Sequence, residues 1–143
     1  MKRPLRSKGP VFIDTHALVA IVNADDEHHE MTARLLSDVV QQRVPVFTSD
    51  WVLAEFLSVC SRRPLRAAAG KVAASVRASP LTTVVEASRA TWDRAFDLFR
   101  ARRDKEWSLV DCTTIILCED NSVRRVLTHD HHFAQAGLEV MID

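Results

Sequence analysis

Val11-Phe12-Ile13-Asp14-Thr15-His16-Ala17-Leu18 passes from three apolar residues, through an aspartate, into a second apolar segment that continues to Val22. The first three residues read as a short buried strand and Ala17 to Val22 as helical, ending at the polar break Asn23-Ala24-Asp25-Asp26. The same grammar recurs along the chain. Val44 to Phe47 predicts a second strand, with Thr48-Ser49-Asp50 supplying cap-type residues for a helix from Trp51 to about Ser61. Thr82 to Val85 is β-branched enough for a third strand, and Arg125 to Leu127 reads as a fourth, followed by a short helix near Phe133. Leu138 to Met141 closes the series as a fifth strand. Short apolar strands alternating with helices predict an α/β fold: a three-layer sandwich in which helices flank a central parallel sheet.

The intervening helices have distinct characters. One from about His28 to about Gln41 is expected to turn Met31, Leu35, Leu36 and Val39 inward. Arg62-Arg63-Pro64 breaks the chain before an alanine-rich helix from Leu65 to about Ala78. Ala87 to Arg103 is amphipathic, with Trp92, Ala95, Phe96 and Phe99 as its apolar stripe, and Ser108 to Glu119 forms the next helix. Trp51 and Trp92 are expected in the core, and Trp107 beneath the helix that follows it.

At 143 residues the chain suits one domain, with Met1 to Pro10 as a flexible N-terminal segment. Nineteen basic residues balance nineteen acidic ones, so any nucleic-acid contact has to rest on local patches rather than overall charge. Three cysteines, Cys60, Cys112 and Cys118, sit in apolar stretches, and their odd number argues for free thiols in a reducing compartment. The expectation is a soluble, cytoplasmic protein with no membrane span and no signal peptide. With three glycines and neither GxGxxG nor GxxxxGK[ST], the dinucleotide fingerprint and the phosphate-gripping loop are both missing.

In such a sheet ligands bind beyond the carboxyl ends of the strands. Asp14 and Asp130 fall just past the expected first and fourth strands, although either could simply cap the helix that follows. Glu55 interrupts Trp51-Val52-Leu53-Ala54-Glu55-Phe56-Leu57, where a charge is costly unless it is paired, with Arg62 or Arg63 for instance, or bound to a cation. Asp111 shares a helical face with Ile115 and Cys118, and Ser108-Leu109-Val110-Asp111 also fits a capping box. Carboxylates about 4 Å apart repel by about 4 kcal/mol at an effective dielectric of 20. A converging set therefore needs a hard cation, Mg²⁺ or Mn²⁺, and that pairing suits phosphodiester hydrolysis.

Four segments resemble the PIN-domain family. Val11-Phe12-Ile13-Asp14-Thr15-His16-Ala17-Leu18 is similar to its opening strand and Asp-Thr/Ser signature, and Thr48-Ser49-Asp50-Trp51-Val52-Leu53-Ala54-Glu55 to its second strand-to-helix segment. Trp107-Ser108-Leu109-Val110-Asp111-Cys112 resembles its central Ser-Leu-x-Asp motif, and Leu127-Thr128-His129-Asp130-His131-His132-Phe133 its closing Thr-x-Asp-x-x-Phe motif. The segments come in family order across nearly the whole chain. The resemblance implies a metal-dependent endoribonuclease with Asp14, Glu55, Asp111 and Asp130 as catalytic metal ligands for Mg²⁺ or Mn²⁺. It implies supporting hydroxyls at Thr15 and Thr128. Many relatives are VapC-like toxins, which implies RNA as substrate, an antitoxin protein as partner and a homodimer. His16 stands where a small or apolar residue is expected.

The six histidines, His16, His28, His29, His129, His131 and His132, read as polar residues at the site rim, since no HExxH or comparable pair marks a zinc site. Arg62 and Arg63 after one helix, and Arg102 and Arg103 before another, are candidates to grip an RNA backbone. Two other functions compete. An aspartyl-nucleophile phosphatase would want Asp-x-Asp where Asp14-Thr15-His16 stands. A non-catalytic PIN-like RNA-binding or interaction module would be expected to have lost acidic ligands.

Overall fold

The structure, a computed structural model, describes residues 9–143; most of the expected flexible segment Met1 to Pro10 lies outside the described residues. The first strand, β1 (Val11–Ile13), is wholly buried, and Asp14 caps the helix it feeds, α1 (Thr15–Val22). Helix α2 (His29–Gln41) leads to β2 (Val46–Ser49), which turns directly into α3 (Asp50–Val59). Helix α4 (Leu65–Ala78), strand β3 (Thr82–Val85) and helix α5 (Arg89–Ala101) follow. Helix α6 (Leu109–Asp120), strand β4 (Arg125–Leu127), a 3-10 helix (His131–Ala136) and strand β5 (Glu139–Val140) complete the chain. The 3-10 helix ends at Gly137, whose φ of 83° is a left-handed turn that a residue without a Cβ adopts at no steric cost.

All five strands pair in parallel, in the order β3-β2-β1-β4-β5. Phe12 lies opposite Phe47 on one side and Val126 on the other, and Ile13 lies opposite Leu127. The connection leaving β1 leads to one half of the sheet and that leaving β4 to the other. The crevice beyond the carboxyl ends of β1 and β4 is therefore the topological switch point, where open parallel sheets bind their ligands. Asp14 and Asp130 stand on its two sides. Phe12, Leu18, Phe56, Leu127 and Phe133 fill the main core around the sheet, and Ala95, Trp107, Cys112 and Ile116 form a smaller one between α5 and α6. The three cysteines are free and buried, and among the described residues no helix is long and apolar enough to cross a membrane.

Three sequence expectations change. Strand β2 begins and ends two residues later than expected, because Thr48 donates its hydroxyl proton to the Ile13 carbonyl and so pairs inside the sheet. On α2, Met31 is 44% exposed, and Thr32 takes the inward position with its hydroxyl bonded to the His28 carbonyl. On α5, Phe96 and Phe99 face outward at 38% and 49% exposure. The inward face is Thr91, Ala95 and Leu98, with small Ala95 lying against α6. Trp92 is half-buried, stacked on Phe96.

Candidate active site

Asp14 is 1% exposed and follows β1 directly, so the sheet itself fixes where its carboxylate sits. Its Oδ2 accepts the Thr128 hydroxyl at 2.9 Å and lies 2.9 Å from Nδ1 of His16. Thr128, the residue after β4, is buried, and its oxygen also accepts the Asp130 amide at 3.1 Å. One hydroxyl thus joins the two carboxylate-bearing turns, donating to Asp14 and accepting from Asp130. Asp130 in turn caps the 3-10 helix, its Oδ1 accepting the His132 amide at 2.9 Å with Nδ1 of the same residue 3.2 Å away. The N-cap expectation for both aspartates is therefore met, with Thr128 bonded to the carboxylate of one and the amide of the other.

Asp111 sits in the first turn of α6. Its amide donates to the Ser108 hydroxyl and its carboxylate accepts the Ser108 amide, each at 3.0 Å, so the capping box is formed in both directions. Burial is the largest influence on this carboxyl and pushes it up to about 6, with Asp14, Asp130 and Glu55 adding like-charge repulsion. Glu55, half-buried on α3, makes no ion pair with Arg62 or Arg63 among the described residues; both arginines are exposed. The reading of Glu55 as a partner of those arginines is thereby set aside.

A cleft of about 380 Å³ opens between these elements, lined by Thr15, His16, Glu55, Ser108, Asp111 and His129 among others. The Thr15 hydroxyl is buried there without a partner. At the rim, His129 stacks on His28 with ring centres 4.1 Å apart and meets His16 edge-on at 4.9 Å. Hydrogen bonding to Asp14 raises His16 to about 9, whereas burial, together with the two neighbouring imidazoles, lowers His129. His29 stands apart from this group, its Nδ1 2.7 Å from the Ala20 carbonyl oxygen in a structural bond.

Among the described residues no three His, Cys, Asp or Glu side chains are grouped tightly enough to hold an ion directly between them. The donor set nevertheless fits a hard divalent cation. It consists of carboxylates, one of them disfavoured as an anion by burial and by three like neighbours, with an unpartnered buried hydroxyl beside them. Mg²⁺ keeps several of its waters and takes only one or two carboxylates directly, which separated carboxylates can provide.

A five-stranded parallel sheet flanked by helices is the architecture of a known class. The PIN-domain family model matches residues 11–138, and the chain belongs to that family. It is similar to the 23S rRNA-specific endonuclease VapC20 of Mycobacterium tuberculosis, represented by strains CDC 1551 / Oshkosh and H37Rv. Each is 28% identical over 127 residues, 89% of this chain and 94% of the relative. The crystal structure of that organism's VapC20, described as a Sarcin-Ricin loop cleaving toxin, superimposes with a TM-score of 0.81 at 26% identity, covering 93% of this chain and 99% of the other. FitAcB from Neisseria gonorrhoeae shares the fold, with a TM-score of 0.63 at 16% identity over 91% of this chain and 95% of the other.

Proposed function

We infer that this protein is a metal-dependent endoribonuclease, the toxin of a toxin–antitoxin pair, acting in the cytoplasm as a homodimer restrained by an antitoxin protein. Similarity to VapC20 supports the toxin and RNA-cleaving parts of this reading. The observation that carries the chemistry is Asp111, which lines one cleft with Glu55, Thr15 and His16 and whose carboxyl is pushed up to about 6, first by burial and then by the charges of Asp14, Asp130 and Glu55. A carboxylate paired with a cationic side chain would be held below its ordinary value, whereas this one is held above it by burial and by like charges that a bound cation would offset.

Asp14, Glu55, Asp111 and Asp130 would hold Mg²⁺ or Mn²⁺, and the ion when bound supplies an activated water and stabilises charge on the phosphate. The chain's own residues orient that assembly. Thr128 fixes Asp14 and Asp130 relative to one another, and the Ser108 amide fixes Asp111. The Thr15 hydroxyl, unpartnered at the cleft wall, is a donor available to a phosphate oxygen or a bound water. His16 lies 2.9 Å from Asp14 Oδ2, beside the carboxylate that would take the cation.

The test is incubation of the purified protein with a labelled RNA pool in Mg²⁺ or Mn²⁺, with EDTA and Asp111→Asn as controls. Cleavage that requires both the ion and Asp111 is the expected result. An RNA pool left intact by a protein that also fails to bind either ion would overturn the reading.

A further inference from the structure

Beside the cleft lies a second pocket, of about 560 Å³, lined by Phe99, Arg100, Arg103, Lys105 and Trp107, with Arg102 and Cys112. Its position follows from one turn of helix. Ser108 and Asp111 face the carboxylate cleft, while Trp107 and Cys112, their chain neighbours, face this pocket. The first turn of α6 is the wall between the two, and a helix with its side chains is only about 10 Å across. A strand threading the cleft is within reach of the pocket a few nucleotides away.

The chemistry of the lining is that of a nucleotide site. Four basic side chains meet there: Arg100 lies over the Phe96 ring at 5.5 Å, and the roles of the other three separate. Arg102 is held by Asp104 through two bonds of 3.0 and 3.1 Å, and it covers the Trp107 ring at 5.3 Å. Lys105 lies 3.6 Å from the same carboxylate. Arg103 is exposed and forms no ion pair among the described residues, so its charge is not offset. Phe99, at 49% exposure, offers an open aromatic face at the pocket's side. An unpaired guanidinium beside an uncovered ring is the combination that takes a phosphate and stacks a base.

We propose that this α5–α6 pocket is a subsite for RNA flanking the cleavage point, with Arg103 on a phosphate and Phe99 stacking a base. Arg102 is instead a structural residue that fixes the loop against Trp107. The proposal rests on the ribonuclease reading and adds to it the place where the substrate is gripped.

The test measures binding of a fluorescein-labelled RNA hairpin carrying the sarcin–ricin loop sequence by fluorescence anisotropy, across a salt series. The full chain carries Asp111→Asn throughout so that the probe stays intact. Arg103→Ala should weaken binding and reduce the slope of log affinity against log salt by about 0.7 to 0.9, one phosphate contact. Phe99→Ala should weaken binding about tenfold and leave the slope unchanged, as loss of one stacked base does. Lys71→Ala, an exposed charge on α4, should change neither.

Cleavage of the RNA pool by the protein with Asp111 intact is scored separately. If that protein cleaves RNA while Arg103→Ala and Phe99→Ala bind like the parent, the subsite is overturned and the nuclease reading stands. If the two variants keep full RNA affinity but change the sedimentation of the protein, the face is a protein interface and the subsite is again overturned. If no RNA is cleaved and none is bound, the nuclease reading itself has failed and the subsite falls with it.

Discussion

Replacing Asp111 by asparagine should make the metal-free protein more stable at pH 7.5 while abolishing its proposed activity. A carboxyl held at about 6 rather than 3.8 has its charged form disfavoured by about 3 kcal/mol, since each pKa unit is worth about 1.4 kcal/mol. Asp111 is partly open to water, so screening reduces that figure. The variant also gives up a charge in the first turn of α6, where a carboxylate is worth about 0.3 to 1 kcal/mol. A net gain of about 1 to 2 kcal/mol remains, a rise in Tm of several degrees for a domain of this size. The sign follows from linkage. Because the folded-state pKa is raised, the wild type is most stable where Asp111 is protonated in both states, below about pH 4. It loses stability as pH climbs through about 6. The variant lacks that titration, so the gap between the two should widen from pH 4 to pH 7 in urea or thermal unfolding. Mn²⁺ should then stabilise the wild type more than the variant. An asparagine variant less stable than the wild type at pH 7.5 without metal would refute the argument that burial and like-charged neighbours disfavour the Asp111 anion.

Two further substitutions probe how the site is held. Thr128→Val keeps the buried shape but removes the hydroxyl between Asp14 and the Asp130 amide, and should cost about 1 to 3 kcal/mol in denaturant unfolding together with most of the activity. Thr128→Ser, which keeps both bonds and loses one buried methyl, should retain activity at a cost of about 1 kcal/mol; equal activity in the two variants would deny the hydroxyl a positioning role. Trp107→Phe removes the indole N–H that donates to the His132 carbonyl at 2.9 Å, tying the α5–α6 loop to the helix that Asp130 caps. A loss of about 1 to 2 kcal/mol is expected in equilibrium unfolding, and no loss would mean that water replaces the bond without cost.

The parts of this fold that were legible in the sequence are those governed by uninterrupted apolar runs. Val11-Phe12-Ile13 is a strand with the expected limits, because a strand buried on both faces has no polar position to confuse its boundary. Arg125 to Leu127 also keeps its expected limits, although it opens on a buried arginine. Strand β2 was harder to place, since Thr48 and Ser49 look like loop residues until their partners are known: the Ile13 carbonyl for one and the Val52 amide for the other. Helix α5 misled for a different reason. Its aromatics suggest an inward stripe, yet the close approach of α6 selects Ala95 and Leu98 and leaves Phe96 and Phe99 outside. At the candidate site, each acidic residue was visible by its place after a strand or inside an apolar helix. Their mutual influence on Asp111 was not, because it depends on the pairing of β1 with β4, which no local pattern encodes. The packing of His129 face-on against His28 and edge-on against His16 was hidden in the same way. Arg102 and Arg103 are adjacent and alike in sequence, and only the structure distinguishes the one bound to Asp104 from the one without an ion pair.

The pairing of β1 with β4 joins Ile13 to Leu127 across most of the chain, and with it Asp14 to Thr128. A growing polypeptide therefore carries Asp14, Glu55 and Asp111 well before the strand that aligns Asp14 with Asp130 has been made. Translation adds about 5 to 20 residues per second, so the first three carboxylates wait for seconds without the fourth. The proposed set of four carboxylates is then complete only once the chain has been made through Asp130. For an enzyme of this proposed kind, the order of synthesis thus sets Asp130 as the last of the four carboxylates to join the set, after the strand that aligns it with Asp14.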